Sequence, residues 1–277
     1  MAFVPSTEVV SGAAARREAW VLHGIFGAGR NWWSFARSAV LRWPEWRFVL
    51  VDLRHHGRSL AAPPPDSLDA VAGDLGELAA QRGVGPELLI GHSFGGKVAL
   101  AALARGIILP REVWLMDSNP ELGPPRGSAR DQQPAARMLA AIASLPQPLS
   151  SRGLAAGELM ARGVEEPVAR WLATSLQRVE AGFAFPFPLP RLRELLDSYW
   201  DFDGWRALRG AKGRAQVHLV MGEHSQHFPD SARSVVAKAH AEQVLISHEL
   251  AGAGHWVQAD APEALLGLMD PSFSAVI

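Results

Sequence analysis

The sequence predicts an α/β fold in which a mostly parallel sheet is flanked by helices. Short apolar runs, typical of buried strands, alternate with stretches of helical spacing. Their order, strand then helix then strand, implies parallel pairing with right-handed crossovers. In residues 88–100 an apolar run and an Ala-rich run enclose Gly91-x-Ser93-x-Gly95. The predicted strands are residues 20–22, 48–51, 88–90, 112–116, 217–221 and 243–250, and the predicted helices include residues 68–80, 231–240 and 262–269.

Composition sets the outer bounds of the function. The chain has 277 residues, 48% of them hydrophobic, which is enough for one large core with or without an insertion. A net charge of −1 and a pI near 6.8 argue against an electrostatic binder of nucleic acid or membrane surfaces. No apolar segment approaches the roughly 20 residues of a membrane span. Residues 1–11 lack the pattern of a secretory signal, so we expect a cytoplasmic protein, with organellar targeting left open.

The sequence has no cysteine, which excludes disulfides, thiolate metal sites and cysteine nucleophiles. A serine nucleophile is instead predicted by Gly91-x-Ser93-x-Gly95, the pattern of a nucleophile elbow. Such a turn joins a strand to a helix and exposes the hydroxyl, and its glycines avoid collisions with neighbouring backbone. The apolar run before it and the Ala-rich run after it supply the expected context. A purely structural turn is the alternative.

Residues 23–29, which follow the first predicted strand, are rich in glycine. They lack the Walker spacing and the dinucleotide fingerprint, so a phosphate-binding loop is not favoured. We interpret the segment as an oxyanion-hole loop, with a plain turn as the alternative. The expected donors are the backbone N–H groups of Phe94 and of Ile25 or Phe26.

Residues 52–59 follow the second predicted strand and contain the pair His55-His56. Adjacent histidines on a loop do not converge easily on one ion, and no nearby cluster completes a ligand set. We therefore predict no metal site, and instead a hydrogen-bonded turn in which Asp52 and Arg54 tie the loop to the sheet.

A serine nucleophile needs a base within hydrogen-bond reach, and histidine is the usual one. Among ten histidines, His255 is the best candidate, because it follows the last predicted strand on a Gly-flanked loop late in the chain. The order serine, acid, histidine also fits an elbow of this type. The remaining candidates are His224 and His227 as second choices for the base, with His92, His218 and His248 expected to be structural.

These segments together resemble the α/β-hydrolase superfamily, and more narrowly the small YbfF-type bacterial esterases and their eukaryotic α/β-hydrolase-domain relatives. The residues that carry the resemblance are 22–27, 52–59, 91–97, Asp117 and 254–257, within a similarity that spans about residues 20–269. The resemblance implies an eight-stranded, mostly parallel sheet, a helical lid inserted after the sixth strand, and carboxylic ester hydrolysis without a cofactor. His55 departs from the pattern, since those families often have Asn there.

The acid of the predicted triad is harder to place. In this fold it usually follows the penultimate strand, but there the chain has Ser225, which cannot stabilise an imidazolium as a carboxylate does. Another known location is the end of the strand after the elbow helix, where Asp117 stands. The resemblance supports Asp117, with Glu223 as the alternative acid and Asp230 as a third candidate.

Residues 120–203 interrupt the alternation with a helical-looking, Pro-interrupted stretch, which predicts a lid inserted into a core of residues 1–119 and 204–277. The lid carries several phenylalanines, which favour an ordered wall over an apolar site. The predicted substrate-pocket residues are Trp33, Phe183, Phe185, Phe187 and Trp256, although each could instead pack in the core.

The sequence thus predicts a monomeric or homodimeric serine hydrolase that needs neither metal nor cofactor. It would cleave small-molecule esters or thioesters with small to medium apolar acyl groups through an acyl-enzyme. Two alternatives use the same fold: a lyase or C–C bond hydrolase with the same triad, and a ligand receptor with little turnover.

Overall fold

The computed structural model describes residues 2–275, which contain nine strands. The strands are β1 Thr7–Ser11, β2 Arg17–Leu22, β3 Trp46–Val51, β4 Leu88–His92, β5 Glu112–Met116, β6 Gln177–Val179, β7 Gly182–Ala184, β8 Gln216–Gly222 and β9 Ile246–Leu250. Seven of them form one sheet in the order β1-β3-β2-β4-β5-β8-β9, and β6 pairs with β7 in a separate hairpin.

The same residues contain twelve α-helices and a short 3₁₀ helix at Gly29–Trp32. The α-helices are α1 Trp33–Arg42, α2 Leu68–Arg82, α3 Phe94–Ala104, α4 Ser128–Asp131, α5 Pro134–Ala143, α6 Arg152–Ala161, α7 Glu166–Thr174, α8 Leu189–Asp201, α9 Gly204–Gly210, α10 Asp230–Ala241, α11 Val257–Asp260 and α12 Pro262–Ser274. Across residues 2–275, no helix combines the length and the apolar character that crossing a membrane would require.

Six strands of the main sheet run parallel, and β1 pairs antiparallel with β3 at one edge. Because the carboxyl ends of parallel strands meet at one edge of a sheet, the loops after β2, β3, β4, β5, β8 and β9 converge there. This convergence brings together segments that are distant in sequence, from residue 23 to residue 255.

Helices cover both faces of the main sheet. On one face α1 and α12 contribute Phe35 and Phe273 to the core. On the other face α2, α3 and α10 contribute Leu75, Leu100 and Val236. Burial on both faces explains why the central strands consist of nearly continuous apolar runs.

The fold class is the predicted one, and two details differ. The described residues form a seven-stranded sheet rather than an eight-stranded one. Pro5, just before β1, has no N–H, so it cannot donate to a strand ladder at this edge. Residues 120–203 follow β5, the fifth strand rather than the sixth, and hold α4 to α8 together with the hairpin β6–β7. The edge strand β1 and this hairpin are additions to the predicted elements.

Candidate active site

Ser93 occupies the turn between β4 and α3, with φ 51° and ψ −114°. Such positive φ is rare for a residue with a side chain and is typical of functional turns. The flanking glycines are required by space. A Cβ on Gly91 would lie 2.4 Å from the carbonyl oxygen of Gly95, and one on Gly95 would lie 2.5 Å from that of Leu22. The local structure is therefore a strained strand–turn–helix, as the sequence pattern predicts.

Asp117 follows β5 and is 1% exposed. Its Oδ1 accepts a hydrogen bond from the backbone N–H of Gly222 at 3.0 Å. Its Oδ2 accepts two more, from the hydroxyl of Ser225 at 2.6 Å and from Nδ1 of His255 at 2.7 Å. The structure thus brings Asp117 and His255 together across 138 positions of sequence.

Ser225 was not among the predicted site residues. It stands where the acid usually lies in this fold, and its hydroxyl donates to the carboxylate of Asp117, which follows the neighbouring strand. The signal in the sequence that could have identified Ser225 is that a serine stands at position 225, where a carboxylate is expected. A hydrogen bond to a charged group contributes roughly 1.5–3 kcal/mol, so Ser225 is a substantial partner for a buried carboxylate.

Burial governs the charge of this pair. It raises the pKa of Asp117, against the opposing effect of the hydrogen bonds from Ser225 and Gly222. It lowers the pKa of His255 to about 4. The imidazole is therefore neutral at neutral pH, which is the state that a general base requires.

Two further imidazoles surround His255. Nε2 of His92 donates to the carbonyl oxygen of His255 at 2.9 Å, and the two ring centroids are 4.6 Å apart. The ring of His227 lies 4.1 Å from that of His255. Since His92 immediately precedes Ser93, its hydrogen bond ties the loop of the candidate base to the elbow. Between residues 2 and 275 no hydrogen bond joins the Ser93 hydroxyl to His255, so that pairing stays a prediction.

The alternative acids lie elsewhere. The side chain of Glu223 is 46% exposed, and its Oε2 accepts from the N–H of Gly252 at 2.8 Å. Asp230 is exposed at the start of α10. Of the three carboxylates considered, Asp117 alone is hydrogen-bonded to His255 in the described part of the chain.

The candidate oxyanion donors differ in whether their N–H groups already have a hydrogen-bond partner. The N–H of Phe26 is donated to Nε2 of His56 at 3.2 Å and so already has a partner, which favours Ile25 over Phe26 as the candidate donor. The N–H groups of Ile25 and Phe94 have no hydrogen-bond partner within residues 2–275. The sequence alone could not distinguish Ile25 from Phe26 as the donor. Whether a backbone N–H is already bonded to a side chain cannot be seen in the pattern of glycines.

Residues 52–59 form a hydrogen-bonded turn. Asp52 accepts from the N–H of Gly29 at 2.8 Å and from that of Arg58 at 3.0 Å. Arg54 pairs with both carboxylate oxygens of Asp74, at 2.7 and 2.8 Å. The adjacent histidines diverge: His55 binds Asp66, whereas His56 binds the backbone of residue 26. In the part of the chain described, no three potential ligands are arranged to hold a metal ion.

Aromatic side chains from residues 120–203 meet the loop after β2. The ring of Phe187 packs edge-on against Phe26 at 5.6 Å, and Phe185 stacks on Phe187 at 5.9 Å. Trp256 lies 5.6 Å from the ring of His255 and 5.7 Å from Trp171 of α7. We call these two groups of aromatic side chains together the apolar wall: Phe26, Phe185, Phe187, Trp171 and Trp256.

Two predicted pocket residues lie outside this wall. Trp33 is 44% exposed, with the guanidinium of Arg37 5.4 Å from its ring. Phe183 is half-buried in β7, with the guanidinium of Arg152 at 5.1 Å. Their described ring contacts are with arginines and not with the aromatic side chains near Ser93, so the structure gives their predicted pocket role no support.

The fold and this constellation define a class of protein. The model of the alpha/beta hydrolase family matches residues 21–268, so the chain belongs to that family.

The similarity to individual relatives covers most of the chain. The chain is 31% identical over 243 residues to the sn-1-specific diacylglycerol lipase ABHD11 of Mus musculus, covering 87% of this chain and 76% of the relative. It is 27% identical over 250 residues to the esterase YbfF of Escherichia coli strain K12, covering 89% of each. Among solved structures, a marine microorganism esterase superposes with a TM-score of 0.76 at 20% identity, covering 96% of this chain and 98% of that one. The last likeness concerns the fold alone.

Proposed function

We propose that this protein is a carboxylesterase-type serine hydrolase in which Ser93 is acylated by an ester substrate. The observation that carries the proposal is the buried Asp117 carboxylate hydrogen-bonded to Nδ1 of His255, whose carbonyl oxygen accepts from His92, the residue before Ser93 on the strained elbow. A carboxylate on Nδ1 fixes the tautomer whose Nε2 is free to accept a proton. The relatives named as an esterase and a diacylglycerol lipase support the same reaction class.

The reaction begins when Nε2 of His255 takes the proton of the Ser93 hydroxyl and the serine oxygen attacks the carbonyl carbon. The negative charge that develops on the carbonyl oxygen is stabilised by the N–H groups of Ile25 and Phe94. Asp117 stabilises the imidazolium without itself taking a proton. The imidazolium then protonates the departing alcohol, and a water molecule activated by the same imidazole releases the acid.

The acyl group is small to medium in size and apolar. Phe26, Phe187 and Phe185 form a continuous aromatic row, all three at most 9% exposed. An apolar wall of this kind binds hydrocarbon by burial and offers no partner to a charged acyl group. Residues 120–203 would act as a lid over the site, and an oxygen ester and a thioester would follow the same steps.

Steady-state turnover of p-nitrophenyl esters with chains of increasing length, by wild type and Ser93→Ala, tests the proposal. We expect turnover with a preference for short to medium chains, and loss of at least about 10³-fold in Ser93→Ala. Equal activity of the two proteins would refute the role of Ser93. Strong ligand-induced stabilisation without product would favour the receptor alternative, and activity confined to a vinylogous diketone would favour the C–C bond hydrolase.

A further inference from the structure

The loops that follow β2 and β3 are joined by two fully buried histidines that none of the steps above uses. His23 belongs to the first loop, and its Nε2 accepts the backbone N–H of Leu53 in the second loop at 3.0 Å. Because that backbone group can only donate, Nε2 must be unprotonated and the ring proton is on Nδ1. From there it is donated to the carbonyl oxygen of Gly24 at 2.7 Å.

His56 makes the reciprocal connection. It belongs to the second loop, and its Nε2 accepts the N–H of Phe26 in the first loop at 3.2 Å. Its Nδ1 donates to the carbonyl oxygen of Arg54 at 2.8 Å, so its tautomer is also determined. Each loop therefore places one imidazole on the backbone of the other.

The two rings form one unit, which we call the histidine clasp: His23 and His56. Their centroids are 4.9 Å apart in an edge-to-face arrangement, and the residues are 1% and 0% exposed. Burial lowers the pKa of His23 to about 4 and that of His56 to about 3, which keeps both rings neutral. Neutrality matters because a protonated ring would direct an N–H at a backbone N–H.

The clasp acts on the backbone that carries a candidate oxyanion donor. Phe26 has φ 63°, an uncommon conformation for an aromatic residue, and the N–H of Gly27 closes the turn onto the carbonyl oxygen of Gly24 at 3.0 Å. With the N–H of Phe26 directed at His56, the preceding N–H, that of Ile25, is left without a partner among residues 2–275.

We propose that His56 is a positioning residue for transition-state binding: by accepting the N–H of Phe26 it fixes the turn that presents the N–H of Ile25 to the reacting carbonyl oxygen. His23 holds the loop that carries His56. The inference rests on the proposed ester hydrolysis, and it assigns His56 a role in the rate of the chemical step rather than in substrate binding.

The test compares His56→Met with His56→Gln. Methionine fills a similar volume but has no strong acceptor, whereas the amide oxygen of glutamine lies at about the depth of the histidine Nε2 and can accept from Phe26. Removal of one oxyanion donor costs about 10²–10³ in kcat, and a displaced donor costs less. We therefore expect kcat of His56→Met to fall about 10- to 100-fold with KM within about threefold, and His56→Gln to recover most of the loss.

A second measurement separates this role from general destabilisation. The affinity of a trifluoromethyl ketone, which forms a tetrahedral adduct with a nucleophilic serine, is expected to fall in His56→Met by the same factor as kcat/KM. The matched control is His55→Gln, at the neighbouring buried histidine that binds Asp66 and not the loop after β2. We expect it to lower the thermal midpoint and to leave kcat within about threefold.

Several outcomes would overturn the inference: an unchanged kcat in folded His56→Met, a change confined to KM, no recovery in His56→Gln, or an equal loss of kcat in His55→Gln. If His56→Met does not fold, His56→Asn replaces it, since its shorter amide cannot reach Phe26. Wild type and Ser93→Ala run in the same series distinguish the two proposals. An inactive wild type overturns both proposals. An active wild type whose kcat is unchanged by substitution of His56 overturns only the proposed role of His56.

Discussion

The hydrogen bonds around Asp117 determine how its substitution by asparagine would change the proposed ester hydrolysis. Asparagine has nearly the shape of aspartate but replaces one acceptor by an NH₂ donor. Oδ1 of Asp117 faces the backbone N–H of Gly222, which cannot act as an acceptor. The amide oxygen must therefore occupy the Oδ1 position, and the NH₂ group takes the position of Oδ2.

At that position the NH₂ group faces the Ser225 hydroxyl and Nδ1 of His255. The hydroxyl can rotate and accept, but the imidazole can accept only by moving its proton to Nε2. His255 is then in the tautomer that cannot take a proton from Ser93. The same inversion in a serine-hydrolase triad costs roughly 10⁴ in kcat, which corresponds to about 5.4 kcal/mol in activation free energy.

The assay is the kcat for p-nitrophenyl butyrate in wild type, Asp117→Asn and Glu223→Gln, with thermal midpoints measured to show that each variant is folded. Glu223→Gln is the matched acid-to-amide control, because glutamine can still accept from the N–H of Gly252. We expect Glu223→Gln to stay within about twofold of wild type. A folded Asp117→Asn with a rate within tenfold of wild type would refute the assignment, and a simultaneous loss in Glu223→Gln would transfer it to that residue.

Three further predictions concern the apolar wall and the imidazoles of His255 and His56. Phe187→Ala is expected to raise the ratio of kcat/KM for p-nitrophenyl octanoate over butyrate about tenfold, because it opens space beside Phe26; a uniform loss for both esters would contradict this. The acidic limb of kcat/KM against pH is expected well below 6.5, because burial lowers the pKa of His255 to about 4; a midpoint at or above 6.5 would contradict it. The third concerns His56, whose pKa burial lowers from 6.5 to about 3. Between these values the unfolded chain binds the extra proton, so the free energy of unfolding falls with falling pH, by about 1.4 kcal/mol per pH unit from this group. Urea unfolding of wild type and His56→Gln at pH 4.5 and 5.5 is expected to show this difference in slope, and equal slopes would count against it.

The main sheet could be predicted because its central strands are buried on both faces and therefore appear as uninterrupted apolar runs. The edge strand β1 has polar or half-buried positions through most of Thr7–Ser11, so it carries no such run. The hairpin β6–β7 has three residues in each strand and no fully buried position, which leaves no periodicity to detect.

The candidate site could be predicted because its residues lie in the loops that follow the strands. Ser93 and Asp117 each come directly after a parallel strand, and His255 lies five residues after β9, so the topology gathers them at one edge. The hydrogen bonds of Ser225 and His56 could not be predicted, because they depend on where one hydroxyl points and on which ring nitrogen carries a proton. Such details are fixed by tertiary hydrogen bonds and have no spacing in the sequence. The division into core and lid, the oligomeric state and the cellular location stay predictions.

The central claim is that the hydroxyl of Ser93 is made nucleophilic by His255. Reaction with a fluorophosphonate, followed by peptide mass mapping, tests it most directly. We expect a single phosphonyl adduct on the peptide that contains Ser93, no adduct in Ser93→Ala, and labelling slowed by at least about 10³-fold in His255→Ala. An adduct on another residue, or undiminished labelling in His255→Ala, would contradict the account.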